Sequence, residues 1–333
     1  MINAIADRVM NGEYLSQAEL SEFVTSLRSG KLNDLQFVAL LAAMETRNRI
    51  KGINLDETAD LIRAIRTPIK TDLEGILCPA GTGGDPVKTI NISTPAGIVL
   101  ASGGVRVLKN GYKSVTGSCG SRELLESFGI NPFLDLTKVV KSVRKIGIGY
   151  YDFLNLITTD KRSGFRSPMN YIGALCHPFE IDFKIIGCSN QKQCELIEPI
   201  ADRLYKRYIL IFNREIDEIS TVTPTEIVEK RENEKWRYSF DPKELGIQRS
   251  NYIELFPRQT PQDNARELIE VFRGKDSSVS QIIALNAGAG FYLVGKAETI
   301  NAGYHLAREI LSSGKVKDKL DEWVAFSNEH GAN

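Results

Sequence analysis

The chain reads as an α/β protein in which a small helical N-terminal domain precedes a larger α/β domain built on a largely parallel central sheet. Three observations carry this. The first seventy residues place apolar side chains at helical spacing behind capping signals. From about Ile76 the texture changes to short apolar runs bounded by glycine and alternating with helical patterns, as βαβ connections require. Between two apolar stretches lies Gly81-Thr82-Gly83-Gly84-Asp85, followed closely by Asn91-Ile92-Ser93-Thr94-Pro95, a strand-to-helix turn at the C-terminal end of a strand, where open α/β sheets bind ligands.

Taken in order, Ser16-Gln17-Ala18-Glu19 is a capping box, and Leu20, Phe23, Val24 and Leu27 follow at helical spacing until Ser29-Gly30 ends the helix. Asn33 or Asp34 caps a second helix with Leu35, Val38, Leu41 and Ala42 on its apolar face, and Asn54 a third carrying Leu61, Ile62 and Ile65. Residues 76–79 read as a strand, 93–102 as a helix opened by Ser93 and Thr94 in the N-cap region, 105–108 as a strand, and 121–128 as a helix stopped by Gly129. Further on, 184–187 and 208–212 read as strands around a helix at 191–204, and 265–272, 279–293 and 297–311 as helices. The charged stretch 229–236 reads as a solvated turn or hairpin. No internal repeat interrupts this order.

Composition excludes several classes. At 333 residues, with 42% hydrophobic content, the chain holds about two domains of ~150 residues each. Lys plus Arg equal Asp plus Glu at 42 each, so no overall field draws the protein to nucleic acid or to an anionic membrane. The N-terminus lacks the apolar core of a signal peptide and no apolar run approaches the ~20 residues of a membrane span, which points to a cytoplasmic protein. Five scattered cysteines and three histidines, without CxxC pairs, argue against disulfide frameworks and structural zinc.

Four segments carry chemistry. In the Gly81 to Asp85 turn, glycines let successive N–H groups converge on an anion, and the stretch from Asn91 to Thr94 adds hydroxyls. It spells neither GxGxxG nor GxxxxGK[ST], so dinucleotide and P-loop readings lose their support. Asp85 either holds a ribose hydroxyl or caps the turn. Residues 109–121, from Lys109 to Ser121, read as a flexible hydroxyl- and cation-rich loop in which Lys109 and Lys113 can neutralise phosphate, or alternatively as a mobile surface loop. Asp217-Glu218 is either an exposed acidic turn or a pair able to hold Mg²⁺ alongside substrate phosphates. Arg166, beside Pro168, offers a planar fork for a carboxylate or a surface ion pair.

In this order the segments resemble the anthranilate phosphoribosyltransferase family, with its GTGGD, NIST, KHGN-type loop, Arg segment and DE pair followed by IS. The resemblance runs nearly end to end and includes Asp217-Glu218-Ile219-Ser220 and a helix with Leu285-Asn286-Ala287. It implies the fold shared with nucleoside phosphorylases, here a helical domain at 1–72, completed by a segment near 160–183, and an α/β domain at 73–159 and 184–333. It also implies a homodimer through the helical domains. The implied reaction, a step of tryptophan biosynthesis, displaces pyrophosphate from phosphoribosyl pyrophosphate (PRPP) by the amine of anthranilate. Carried over by position, Gly81, Gly84, Asp85, Thr89, Asn91, Ser93, Thr94, Lys109, Lys113, Gly117 and Ser121 hold PRPP; Gly81, Asn110, Tyr112 and Arg166 meet the acceptor; Ser93, Asp217 and Glu218 place Mg²⁺; and Lys109 and Arg166 are the catalytic positions. An aromatic amine is already nucleophilic at pH 7, so neutralising the leaving group matters more than a general base, and no catalytic histidine is needed.

The loop departs from the family pattern. KHGN followed by Arg becomes Lys109-Asn110-Gly111-Tyr112-Lys113, the Ser-Ser-Lys becomes Thr116-Gly117-Ser118, and in the GSAD segment Arg122 replaces Ala and Glu123 replaces Asp. The segments expected to grip pyrophosphate and metal are retained, whereas Tyr112 brings a ring toward the acceptor. Alternative readings are a paralogue with another aromatic or heterocyclic acceptor, a nucleoside phosphorylase-like enzyme, and a silent nucleic-acid-binding relative using Lys138, Lys141, Arg144 and Lys145 as a basic helix face.

Overall fold

The capping signals of the first seventy residues are realised as hydrogen bonds. In the computed structural model, which describes residues 2–66, 69, 71–83, 85–111, 119–152, 169–188, 190–247 and 251–331, four helices open the chain: α1 (Ile2–Met10), α2 (Gln17–Arg28), α3 (Asp34–Lys51) and α4 (Leu55–Ile65). The Ser16 N–H donates to the Glu19 carboxylate at 2.8 Å, and Ser16 Oγ accepts from the Glu19 N–H at 3.4 Å. Asn33 and Gln36 repeat this arrangement on α3, and Asn54 Oδ1 accepts from the N–H groups of Asp56 and Glu57. Ser16→Ala is expected to destabilise the chain by about 1 kcal/mol, read as a lower denaturant midpoint with an unchanged slope.

The first helix, α1, was not read from the sequence; it buries Ile5 and Val9. On α3 the buried face is Phe37, Leu40, Leu41 and Met44, while Leu35 is 80% exposed and Val38 and Ala42 are half-buried. Phe37 stacks on Phe23 of α2 at 6.1 Å between ring centroids, and this large contact sets which side of α3 turns inward. Behind it, Arg47 and Glu57 form a buried ion pair. Arg47 also donates to the Glu13 carbonyl, and Glu57 accepts from the Leu15 N–H, so neither charge is left unsatisfied at the α1–α2 joint.

The chain is divided into two compact units. The helical unit comprises Met1–Lys70, Phe153–Glu180 and Glu195–Leu204, and thus includes α8 (Met169–Leu175) and most of α9 (Gln191–Leu204). The second unit holds one seven-stranded sheet in the order β3-β2-β1-β4-β5-β6-β7. Its strands are β1 (Ile76–Gly81), β2 (Arg106–Gly111), β3 (Ile148–Asp152), β4 (Phe183–Cys188), β5 (Arg207–Phe212), β6 (Thr225–Arg231) and β7 (Glu234–Phe240). The first five are parallel, and β6 and β7 join antiparallel as the hairpin that carries the charged stretch. That stretch is not wholly solvated, because Glu229 is buried and accepts from the hydroxyls of Tyr238 and Tyr292.

One face of the sheet is covered by α5 (Ser93–Ser102) and α11 (Ser278–Leu293), both apolar nearly all round and therefore buried on every side. α12 (Ile300–Ser312) packs on α11 so closely that a Cβ at Gly288 would overlap the backbone of Gly303 and Tyr304. α6 (Ser121–Ser127), α7 (Leu136–Ile146), α10 (Pro261–Phe272) and α13 (Lys315–Gly331) complete the unit. Strand order reverses between β1 and β4, which makes the C-terminal ends of those two strands the topological switch point of the sheet.

Candidate active site

At the switch point, two glycines make room for one carboxylate. Gly81 ends β1 and is registered with Gly187 of β4. A Cβ at Gly81 would collide with the Asp217 carboxylate and a Cβ at Gly187 with the Asp217 backbone, so only glycine at both positions lets the segment after β5 descend between the strands. Asp217 Oδ2 then accepts from the Gly83 N–H at 2.8 Å, and the Thr82 N–H donates to the Gly187 carbonyl at 2.9 Å. The descending segment is held at both ends. Asn213 Nδ2 donates to Thr223, Pro224 and Thr225, while Asn286 of α11 accepts from the Ile219 N–H at 3.0 Å and donates to the Ile219 carbonyl at 3.0 Å.

This geometry brings three carboxylates together. Ligand oxygens of Asp85, Asp217 and Glu218 all lie within 4.8 Å of one another, and Asp217 is only 7% exposed. Burial, then the Asp217 charge, pushes the Asp85 carboxyl up to about 8. Glu218 is raised well above the carboxylate range, again first by burial and then by its two acidic neighbours. Asp85 Oδ1 and Glu218 Oε2 are buried without a hydrogen-bond partner among the described residues. Crowded, unpartnered carboxylate oxygens of this kind fit a hard divalent cation, which would offset both the repulsion and the lost hydration. Ser93, Gly81, Asp217, Glu218 and Asn286 line one small cavity of ≈ 30 Å³.

A pH dependence follows. The folded Asp85 value of about 8 lies above its ordinary 3.8, so the metal-free fold loses stability as pH rises through this window. A divalent cation binds the ionised form. The stabilisation by Mg²⁺ over a chelator, measured as a thermal shift, should therefore grow from pH 5 to about pH 8 and then level off.

Lys109 lies on β2 and is buried. Its Nζ donates to the Asn110 carbonyl at 2.8 Å and to the Pro79 carbonyl at 3.3 Å. Burial depresses its pKa to about 8, Lys184 adds repulsion, and Cys78, Glu218 and Asp217 oppose the shift. The flexible-loop reading is thus corrected at its start. Lys109, Asn110 and Gly111 continue the strand because they pair with Tyr150, Tyr151 and Asp152 of β3, a strand the sequence did not reveal.

Other expected residues divide as follows. Ser93 and Thr94 are not caps; Ile92 occupies the cap position of α5, the Asn91 side chain accepts from the Thr94 N–H at 3.1 Å, and Ser93 lines the same cavity as Asp217 and Glu218. Thr89 is half-buried in the segment leading to α5, and Ser121 is the first residue of α6. Asp217-Glu218 is not an exposed turn. Gly84, Tyr112, Lys113, Gly117 and Arg166 lie outside the described residues. Two contributors were missed: Asp85 as a third carboxylate and Gly187 as the second space-making glycine. The signal for Gly187 was present as a glycine inside an apolar strand, which marks close backbone approach.

Residues 74–317 match the family model described as "Glycosyl transferase family, a/b domain", and residues 3–67 match "Glycosyl transferase family, helical bundle domain". The anthranilate phosphoribosyltransferase of Acetivibrio thermocellus is 31% identical over 98% of this chain and 97% of that protein, and that of Petrotoga mobilis is 30% identical over the same shares. Among solved structures, the anthranilate phosphoribosyltransferase of Thermus thermophilus superposes with a TM-score of 0.84 at 28% identity, covering 97% of this chain and 98% of that one. The Saccharomyces cerevisiae enzyme in complex with PRPP and Mg shares the fold, with a TM-score of 0.80 at 18% identity and 98% coverage of both chains. Relatives at 30% and 31% identity, matched over nearly the whole of both chains, show that the chain belongs to the anthranilate phosphoribosyltransferase family.

Proposed function

We propose that this chain transfers the phosphoribosyl group of PRPP to anthranilate and releases pyrophosphate. The observation that carries the reading is the group of three carboxylates at the switch point, with unpartnered oxygens beside the glycine turn. In this reading the bond from the ribose anomeric carbon to the pyrophosphate oxygen breaks, a bond to the anthranilate nitrogen forms, and the nitrogen sheds one proton to solvent. Asp85, Asp217, Glu218 and Ser93 hold Mg²⁺. When bound, the ion neutralises charge on the pyrophosphate oxygens.

The remaining roles belong to the chain itself. Asn91, Thr94, Thr89, Lys113, Gly117 and Ser121, beside the glycine turn after Gly81, orient the phosphates. Lys109, held rigidly by two carbonyls, presents positive charge where the leaving group develops its negative charge. Asn110, Tyr112 and Arg166 orient the acceptor, with Arg166 on its carboxylate. A homodimer formed through the helical unit is supported by Met10, Leu35 and Ile50, which α1 and α3 leave 64%, 80% and 77% exposed. No helix among the described residues is long and apolar enough to cross a membrane.

The test is anthranilate fluorescence followed over time with the full chain, PRPP and Mg²⁺. The expected result is a fall in signal that a chelator abolishes. No fall with anthranilate, together with pyrophosphate release on another aromatic amine, would transfer the acceptor assignment to that compound. Turnover of a nucleoside with orthophosphate and none with PRPP would overturn the reading altogether.

A further inference from the structure

One buried pair touches no substrate in the chemistry above, although its charges act on Lys109. Cys78 of β1 and Lys184 of β4 are registered partners in the centre of the parallel sheet, so their side chains leave the same face at adjacent positions. Both are fully buried. Lys184 Nζ lies 3.2 Å from Cys78 Sγ, and among the described residues that sulfur is the hydrogen-bond partner the lysine has. Burying an amine in a sheet core is costly without several strong acceptors, and a thiol sulfur is a weak one. The strands that carry the pair are the two whose glycines, Gly81 and Gly187, make the close approach to Asp217, so whatever ties Cys78 to Lys184 also ties the walls of the carboxylate site.

We propose that Cys78 and Lys184 form an oxidative crosslink, in which one oxygen atom bridges the cysteine sulfur to the lysine nitrogen and dioxygen is the oxidant. The S–H bond and one N–H bond break, and S–O and O–N bonds form around one oxygen atom. The second oxygen atom leaves as water with the two hydrogens released. Sulfur and nitrogen together give up four electrons, the number that reduces dioxygen fully. The contact distance already holds the two heavy atoms within reach of a single bridging atom, and apolar interiors admit small apolar molecules. Burial excludes the competing thiols that would otherwise resolve an oxidised cysteine. Cys119 supplies the internal contrast: it is half-buried and hydrogen-bonds to the Gly120 carbonyl, with no lysine at its sulfur among the described residues.

The experiment uses the full-length chain held in air-saturated or in oxygen-free buffer, denatured, alkylated, digested and mapped by peptide mass. The expected result is a peptide joining the segments around Cys78 and Lys184, heavier than their sum by one oxygen less two hydrogens. It should form only with oxygen, resist tryptic cleavage after Lys184, fall apart on dithiothreitol, and be absent from Lys184→Gln. Recovery of Cys78 as an alkylatable thiol from the oxygenated chain would overturn the proposal, as would its recovery as sulfinic acid beside an unmodified Lys184. The comparison of the two wild-type samples is decisive even should Lys184→Gln fail to fold.

Discussion

Asp217→Asn is expected to lower turnover by about 10²–10³-fold and, in metal-free buffer at pH 8, to raise the thermal midpoint. The two effects have opposite signs because they arise from the same charge. Asp217 is the member of the cluster that sits between the strand ends and accepts from the Gly83 N–H, so its loss removes a ligand from the centre of the site. An asparagine retains an acceptor for that N–H and nearly the same volume. What disappears is the negative charge that raises both Asp85 and Glu218, and with it the repulsion that the metal-free fold bears. A steady-state assay and a thermal scan on one preparation check both halves. Unchanged turnover, or a lower midpoint, would contradict the account of the cluster.

Gly187→Ala is expected to destabilise the chain by about 1–3 kcal/mol and to reduce Mg²⁺-dependent PRPP affinity, although residue 187 offers a ligand no side chain at all. The added methyl would occupy the position of the Asp217 carbonyl. Either β4 shifts away from β1 or the Asp217 segment rises, and both movements disperse the three carboxylates. Gly97→Ala on α5 is the control, since its Cβ would meet Val107 at 3.5 Å, an ordinary contact, and a helix-interior alanine is favoured over glycine by roughly 0.5–1 kcal/mol. Urea unfolding of both variants separates the two cases. Equal behaviour would mean that the close approach at Gly187 is not what positions Asp217.

Much of this was legible in the sequence wherever the determinant is local. Ser16, Asn33 and Asn54 cap helices because a cap needs only a side-chain oxygen and an N–H two or three residues away. The bounds of α5 came from apolar content between a turn and a glycine. Lys109 to Gly111 failed for the opposite reason. Their polarity and glycine resemble a loop, and only pairing with β3, some forty residues distant, makes them strand. Leu35 was misplaced because its partner face is chosen by the Phe23–Phe37 stack, which spacing within one helix does not encode. The site followed the same division. The glycine turn and the Asp217-Glu218 pair were visible as segments, but the convergence of Asp85 on that pair depends on β1 and β5 lying on either side of β4.

The most direct test of the central claim, that these carboxylates hold the metal that holds PRPP, is calorimetric titration of PRPP into the full chain with Mg²⁺, with chelator, and into Asp217→Asn with Mg²⁺. The account predicts saturable binding in the first case and its loss in the other two. Binding of equal strength in all three would show that PRPP is held without the cluster, and the carboxylate site would have to be assigned another purpose.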